Sequence, residues 1–197
     1  GPGASSPIVV GNKAFVTCYS GYGLTQENPG EIENLIRHLV CVDMTTGKKL
    51  WQQDVKAALP EDPYSGIGVT AHGYASHTPV CDGKNVYAAT YDDNAVVMFS
   101  RSEETGNLTY IDMLKDGENG VDGLYRAYSI TVSPDGKHAY ATGNNDDALV
   151  IFDRDEITGE LTFVEKIKDN IAGVDGLNGA RFVTLSNDGN YVYVAAY

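Results

Sequence analysis

The chain has 197 residues and carries 14 Lys and Arg against 27 Asp and Glu, which gives a formal net charge of −13. This length is enough for a sizeable core, and the acidic balance argues against nucleic acid or an anionic membrane as a partner. The sequence has no apolar run long enough to cross a bilayer. We therefore expect a soluble protein of undetermined compartment, in which residues 1–5 (GPGAS) are a cleavage scar and linker.

Residues 6–55 predict a first unit of four strands that carries a polar insertion. The opening SSPIVVGNKAFVTCY suits a hairpin, with a Gly-Asn turn between two apolar strands. After the insertion, Leu39–Val42 is a continuous apolar strand. Asp43 then opens a turn that Gly47 closes, and Trp51 lies on the outer strand that follows.

The rest of the chain repeats itself with a period of 53 residues. Residues 97–144 align without a gap on residues 150–197, and 21 of these 48 positions are identical. A fixed period of this size is typical of repeat architectures, in which each unit buries its apolar face against its neighbours. We predict full units over residues 76–115 and 127–168 and a half unit over residues 180–197.

Each unit has the pattern of four short strands joined by Gly and Asp turns. In the third unit the predicted strands are Ser129–Ser133, His138–Thr142, Ala148–Asp153 and Leu161–Ile167. Four antiparallel strands per unit are typical of a β-propeller blade. The predicted fold is therefore all-β, a β-propeller segment of about three and a half blades. A β-sandwich with accidental internal similarity is the alternative.

The first unit carries a short blade signature. The pattern Asp43-x-x-Thr46-Gly47-Lys48-x-x-Trp51 resembles the propellers related to pyrroloquinoline-quinone-dependent dehydrogenases, and the resemblance extends over about residues 5–90. It implies that Trp51 docks on the neighbouring blade near the turn glycine. Asp43, Gly47 and Trp51 are then blade-docking residues without a part in chemistry. The quinone site itself is not recognisable, so we expect no cofactor.

Residues 91–197 follow a second pattern. The stretches NAVVMFSRSEETGNLTY and VSPDGKHAY resemble the repeats of the lactonase-like seven-bladed propellers, the group that contains 6-phosphogluconolactonase. Two patterns that meet inside one blade, together with the N-terminal scar, predict an engineered chimera of two propeller fragments. A natural propeller with mixed blades is the alternative.

Few residues form a pattern that indicates chemistry. We recognise no Ser-His-Asp motif, phosphate loop or paired-cysteine motif. The acidic turns YDDNA and NNDDA lack the calcium-loop pattern, so no metal is expected. The GVDGL loops and the loop before residue 78 suit one mouth of a propeller channel, although Asp and Gly also simply build crossover turns. The weak channel-mouth candidates there are Asp122, Arg126, Asp175, Arg181, His72 and His77.

His138 and the three cysteines are expected to be structural. His138 lies in a predicted hairpin strand, where a packed or surface side chain is expected. Cys18, Cys41 and Cys81 lie in predicted strands without metal-ligand spacing, and free thiols are favoured over one disulfide.

These observations predict a structural scaffold that assembles with copies of itself. The half unit leaves an apolar strand edge without a partner, which favours a homo-oligomer such as a dimer. We expect no catalytic activity, hence no hydrolysis of sugar lactones and no binding of pyrroloquinoline quinone. The alternatives are a lactonase-like hydrolase fragment and a propeller module that binds a ligand or a protein.

Overall fold

The computed structural model describes residues 6–25, 27–57, 59–60, 63–65 and 78–197. Regular structure in these ranges is β-strand apart from one 3₁₀ turn at Ile32–Asn34, which confirms the predicted all-β class. No helix in these ranges has the length and hydropathy needed to cross a membrane. The chain divides into two compact units, residues 1–78 (unit 1) and residues 79–197 (unit 2).

Unit 1 contains a four-stranded antiparallel sheet whose strands lie in chain order. They are β1 (Ile8–Val10), β2 (Lys13–Ser20), β3 (Ile36–Asp43) and β4 (Lys49–Lys56). Strands β2 and β3 pair along their whole length. The insertion between them contributes Tyr22 and Leu35, which are buried with Tyr19 in a small apolar cluster.

The turn between β3 and β4 forms as the sequence predicts. The Asp43 carboxylate accepts hydrogen bonds from the Thr46 backbone N–H at 2.7 Å and from the Thr46 hydroxyl at 3.0 Å. These bonds hold the pKa of Asp43 below its ordinary value. Gly47 has φ +68° and donates its N–H to the Asp43 carbonyl, a conformation that favours glycine. Trp51 is half-buried on the same sheet, with its ring centroid 5.9 Å from that of Phe15. Docking of Trp51 on another blade stays a prediction.

Unit 2 contains two four-stranded antiparallel sheets and one two-stranded sheet. The first sheet is β5 (Val80–Cys81), β6 (Asn85–Thr90), β7 (Ala95–Arg101) and β8 (Leu108–Lys115). The second is β9 (Ala127–Val132), β10 (His138–Gly143), β11 (Ala148–Arg154) and β12 (Leu161–Lys168). The third is β13 (Phe182–Leu185) and β14 (Val192–Ala195). The four-stranded antiparallel sheets are consistent with propeller blades, and the predicted blade boundaries stay predictions.

The core of unit 2 lies between its two four-stranded sheets. Tyr87 and Met98 face each other across β6 and β7, and both are fully buried. Leu124, Val150 and Phe152 belong to the same apolar cluster. Period-two alternation along the strands places Val150 and Phe152 on one face of their sheet, and Leu124 joins them from the loop before β9. The burial of this apolar area holds the two sheets together.

A buried polar network joins the same two sheets. The Arg154 guanidinium donates to the Tyr87 hydroxyl at 2.6 Å, to the Asn85 side-chain oxygen at 3.0 Å and to the Asp82 carboxylate. It also donates to the Gly136 carbonyl at 2.7 Å. Arg154 and Asn85 are almost completely buried. Because an unpaired buried charge is costly, each partner in this network depends on the others.

The acidic tight turns bind backbone N–H groups of the following crossover. The Asp147 carboxylate accepts a hydrogen bond from the Gly179 N–H at 2.8 Å. Fifty-three residues earlier, the Asn94 side chain accepts one from the Arg126 N–H at 2.9 Å. These bonds fix each crossover against the preceding sheet, which gives the Asx side chains a structural role.

Candidate functional site

Two of the predicted channel-mouth residues belong to a row of stacked side chains in unit 2. The Cζ atom of Arg126 lies 4.6 Å from the ring centroid of Tyr91, and the Tyr91 ring meets that of Tyr128 edge-on at 6.1 Å. The Cζ atom of Arg181 lies 5.4 Å from the Tyr128 centroid and 4.1 Å from the Tyr197 centroid. We call these five residues the arginine–tyrosine row.

The first strands of two neighbouring sheets position this row. Arg126 immediately precedes β9, and its positive φ of 58° is held by the bond from its N–H to Asn94. Arg181 immediately precedes β13, and its N–H donates to the Ala195 carbonyl of β14 at 2.9 Å. The rings of Tyr128 on β9 and Phe182 on β13 pack at 5.4 Å. The row therefore lies beside the first strands of two neighbouring sheets, and its position at a channel mouth stays a prediction.

The row offers both charge and unused hydrogen-bonding capacity. Arg126 forms an ion pair with Asp92 at 2.5 Å. The Nε of Arg181 is buried and has no hydrogen-bond partner among the described residues. An aromatic surface with two guanidinium groups suits an anionic ligand that also has a stacking face.

Asp122, a third channel-mouth candidate, lies in a separate acidic cluster. Carboxylate oxygens of Asp116, Asp122 and Asp146 all lie within 4.8 Å of one another. Lys166 donates to Asp122 at 2.5 Å, and Lys168 lies 3.9 Å from Asp146. Lysines therefore supply the balancing charge that a metal ion would bring.

Asp175 is not part of the arginine–tyrosine row. Asp175 is exposed, whereas Asp169, six residues earlier in the chain, is buried and accepts the Leu177 N–H at 2.8 Å. His72 and His77 lie outside the described residues. The structure thus separates Arg126 and Arg181 from Asp122.

Unit 1 contains a hydrogen-bonded serine, histidine and aspartate that the sequence analysis did not recognise. The Ser20 Oγ lies 2.7 Å from His38 Nε2, and His38 Nδ1 lies 2.7 Å from Asp54 Oδ1. His38 and Asp54 are direct cross-strand partners on β3 and β4, and Ser20 ends β2. The side chain of His38 is 11% exposed and that of Asp54 is 52% exposed.

No motif in the sequence could have revealed this arrangement, because it depends on strand register. The three residues are 18 and 16 positions apart, and a long insertion separates β2 from β3. A register shift of one residue would place His38 on the opposite face of the sheet from Ser20. The signal available in the sequence was only that all three residues lie in or next to predicted strands.

The repeat text and the blade-like sheets agree with a match to one propeller family. The family model "Lactonase, 7-bladed beta-propeller" matches residues 72–197, which is more than half of the 197-residue chain. The chain belongs to this family. The lactonase match begins before residue 91, so it also includes residues 76–90, which the sequence analysis grouped with the quinoprotein-like pattern. The chimeric origin and the quinoprotein resemblance stay predictions.

Solved propeller structures share the fold at low identity. A Bacteroides uniformis protein provisionally assigned as a 6-phosphogluconolactonase matches 92% of this lactonase-family chain and 47% of its own, with TM-score 0.59 and 18% identity. The Pseudomonas aeruginosa periplasmic gluconolactonase PpgL matches 93% of this chain and 47% of its own, with TM-score 0.56 and 19% identity. The chain therefore spans about half the length of these structures.

One curated protein is similar to part of the chain. The uncharacterized protein YwcC of Lactococcus lactis subsp. lactis (strain IL1403) is 26% identical over 97 residues, which are 46% of this chain and 28% of the relative. This relative adds no activity to the family assignment.

Proposed function

We propose that this lactonase-family chain contributes to the hydrolysis of a sugar lactone that carries an anionic group. The observation that carries the proposal is the arginine–tyrosine row on a chain matched by the lactonase family model. The family match favours the lactonase-like hydrolase, which the sequence analysis kept as an alternative, over an inactive scaffold.

The chemistry of the row fits this substrate class. Guanidinium groups bind phosphate or carboxylate groups with two parallel hydrogen bonds. An oxyanion develops on the lactone carbonyl oxygen when water attacks, and a fixed cationic donor stabilises that charge. The Arg181 guanidinium, stacked between the Tyr128 and Tyr197 rings, is the cationic donor that we assign to this role. The Tyr91, Tyr128 and Tyr197 rings provide the apolar faces against which a sugar ring packs.

The proposal is tested by lactone hydrolysis and by binding of the product. The 197-residue chain is incubated with glucono-1,5-lactone and its 6-phosphate while acid release is titrated, and binding of 6-phosphogluconate is measured by calorimetry. We expect Arg181→Gln to reduce the rate on the order of 10²-fold, as for other oxyanion donors. Arg126→Gln should weaken binding of the phosphorylated compound most.

The matched control is Lys137→Gln, which removes one exposed positive charge of unit 2 outside the row. It should leave rate and binding unchanged. The proposal is wrong if the chain neither hydrolyses these lactones nor binds the product, or if all three variants behave alike.

A further inference from the structure

We propose that Ser20, His38 and Asp54 of unit 1 form a nucleophilic serine site that accepts an acyl group from a carboxylic ester. The motivating geometry is the continuous line of two 2.7 Å contacts, from Ser20 Oγ to His38 Nε2 and from His38 Nδ1 to Asp54 Oδ1. A nucleophile, a base and an orienting carboxylate in this order are the arrangement that activates serine in unrelated folds. The inference does not rest on the proposed lactone site, which lies in unit 2.

The hydrogen-bond partners of Asp54 determine which nitrogen of His38 carries the proton. Gln52 donates its side-chain amide to Asp54 Oδ1 at 2.7 Å, and this bond together with that from His38 holds the pKa of Asp54 below its ordinary value. His38 Nδ1 lies 2.7 Å from Asp54 Oδ1 and 3.1 Å from Gln52 Nε2. An ionised carboxylate only accepts hydrogen bonds, so we assign the proton to His38 Nδ1 on the basis of the shorter contact. Nε2 then has a free lone pair, and the Ser20 hydroxyl donates to it.

Three strands hold these side chains in place. Asp54 and His38 lie opposite each other in the β3–β4 ladder, and β2 pairs with β3 along its whole length. The side chain of His38 is largely buried, which shields its bonds from water. Gly21 follows Ser20 at φ +83°, and a Cβ built there would lie 1.9 Å from the Asn34 carbonyl oxygen. The backbone next to the serine therefore requires glycine.

The reaction that this site supports is acyl transfer with water as the second reactant. Ser20 Oγ attacks the ester carbonyl carbon and passes its proton to His38 Nε2. The tetrahedral intermediate collapses, the ester C–O bond breaks, and the leaving alcohol takes the proton from His38. Water then attacks the acyl-serine in the same way, which releases the acid and restores the Ser20 hydroxyl. Asp54 keeps its charge throughout and stabilises the imidazolium form of His38.

The neighbouring side chains favour a small acyl group. Ile36 lies directly opposite Ser20 in the β2–β3 ladder, and both are only partly exposed. An apolar side chain beside a partly covered nucleophile suits a short, uncharged acyl chain such as acetyl. Cys18, opposite His38 on β2, is a second nucleophile that the test must separate from Ser20.

The experiment uses the 197-residue chain, a biotinylated fluorophosphonate and p-nitrophenyl acetate. The fluorophosphonate should form a Ser20 Oγ–P bond with loss of fluoride, seen as a mass increase on the peptide that contains Ser20. With p-nitrophenyl acetate we expect release of p-nitrophenol. Both signals should disappear in Ser20→Ala and decrease on the order of 10³-fold or more in Asp54→Asn, because the amide no longer fixes the required tautomer.

The controls separate this site from other nucleophiles and from the proposed lactone site. Ser100→Ala removes a hydroxyl that bonds only the Thr109 carbonyl among its described contacts, and should change nothing. Cys18→Ala and Arg181→Gln should also keep full labelling. Circular dichroism confirms that each variant is folded. Absence of labelling on Ser20 in the parent chain, or labelling that survives in Asp54→Asn, overturns the proposal.

Discussion

Removal of the Arg154 guanidinium is expected to destabilise unit 2 strongly. Arg154 is the central member of the polar network between the two four-stranded sheets, and its side chain is only 4% exposed. The Asp82 carboxylate that it binds is 16% exposed. In Arg154→Met the volume is largely kept, while Asp82 and the Tyr87 hydroxyl lose their common partner.

The size of the effect follows from the charge that is left behind. Breaking a buried ion pair by removing one partner costs about 3–5 kcal/mol, and the residual exposure of Asp82 favours the lower end of that range. With a urea m-value of about 2 kcal/mol/M, a loss of about 3 kcal/mol lowers the denaturation midpoint by about 1.5 M. The assay is urea unfolding followed by circular dichroism.

An exposed ion pair of similar distance provides the control. Lys166 and Asp122 lie 2.5 Å apart, but their side chains remain 29% and 58% exposed. Lys166→Met should therefore cost less than about 1 kcal/mol. Equal midpoint shifts in the two variants would show that burial of the Arg154 network contributes nothing. The double variant Arg154→Met with Asp82→Asn should recover part of the loss, since no buried charge is then unpaired.

Four further outcomes are expected. Burial raises the pKa of Tyr87 from 10.0 to about 12. The stability that the neutral Tyr87 hydroxyl contributes is therefore complete below pH 10 and is lost as the pH rises towards 12. Ultraviolet titration should show one tyrosinate that forms near pH 12 in the parent chain and is absent in Tyr87→Phe. Gly159→Ala places a Cβ 2.3 Å from the Asn85 side chain and should lower the thermal midpoint well below that of Gly117→Ala, which shares the positive φ without a neighbour within 4 Å. Trp51→Ala should cost about 3 kcal/mol if the ring docks between blades, and an unchanged urea midpoint refutes that docking. We also propose that the chain self-associates through β14, where Tyr193 is 56% exposed. Light scattering should show a species larger than the 21.2 kDa monomer, and Tyr193→Lys should dissociate it. A parent chain that stays monomeric contradicts this proposal.

Local patterns in the sequence were enough for the fold. The period of 53 residues, the alternation within each strand and the Asp-Gly turns predicted strands β9 to β12 with ends that differ by at most two residues. The turn from Asp43 to Gly47 also formed as expected, because it depends on a local Asx hydrogen bond and a positive φ. These features need no knowledge of distant contacts.

Only the tertiary structure decided which polar residues meet. Asp122 and Arg126 are four positions apart, yet one joins an acidic cluster and the other a row of tyrosines. Strand register alone brings Ser20 to His38 and Asp54, and the stacking of two sheets alone brings Arg154 to Asp82, 72 residues earlier. The pattern of strands and turns is a local property of the chain. These side-chain contacts depend instead on how strands pair and sheets pack, and that pairing cannot be read from one sequence at the level of single side chains.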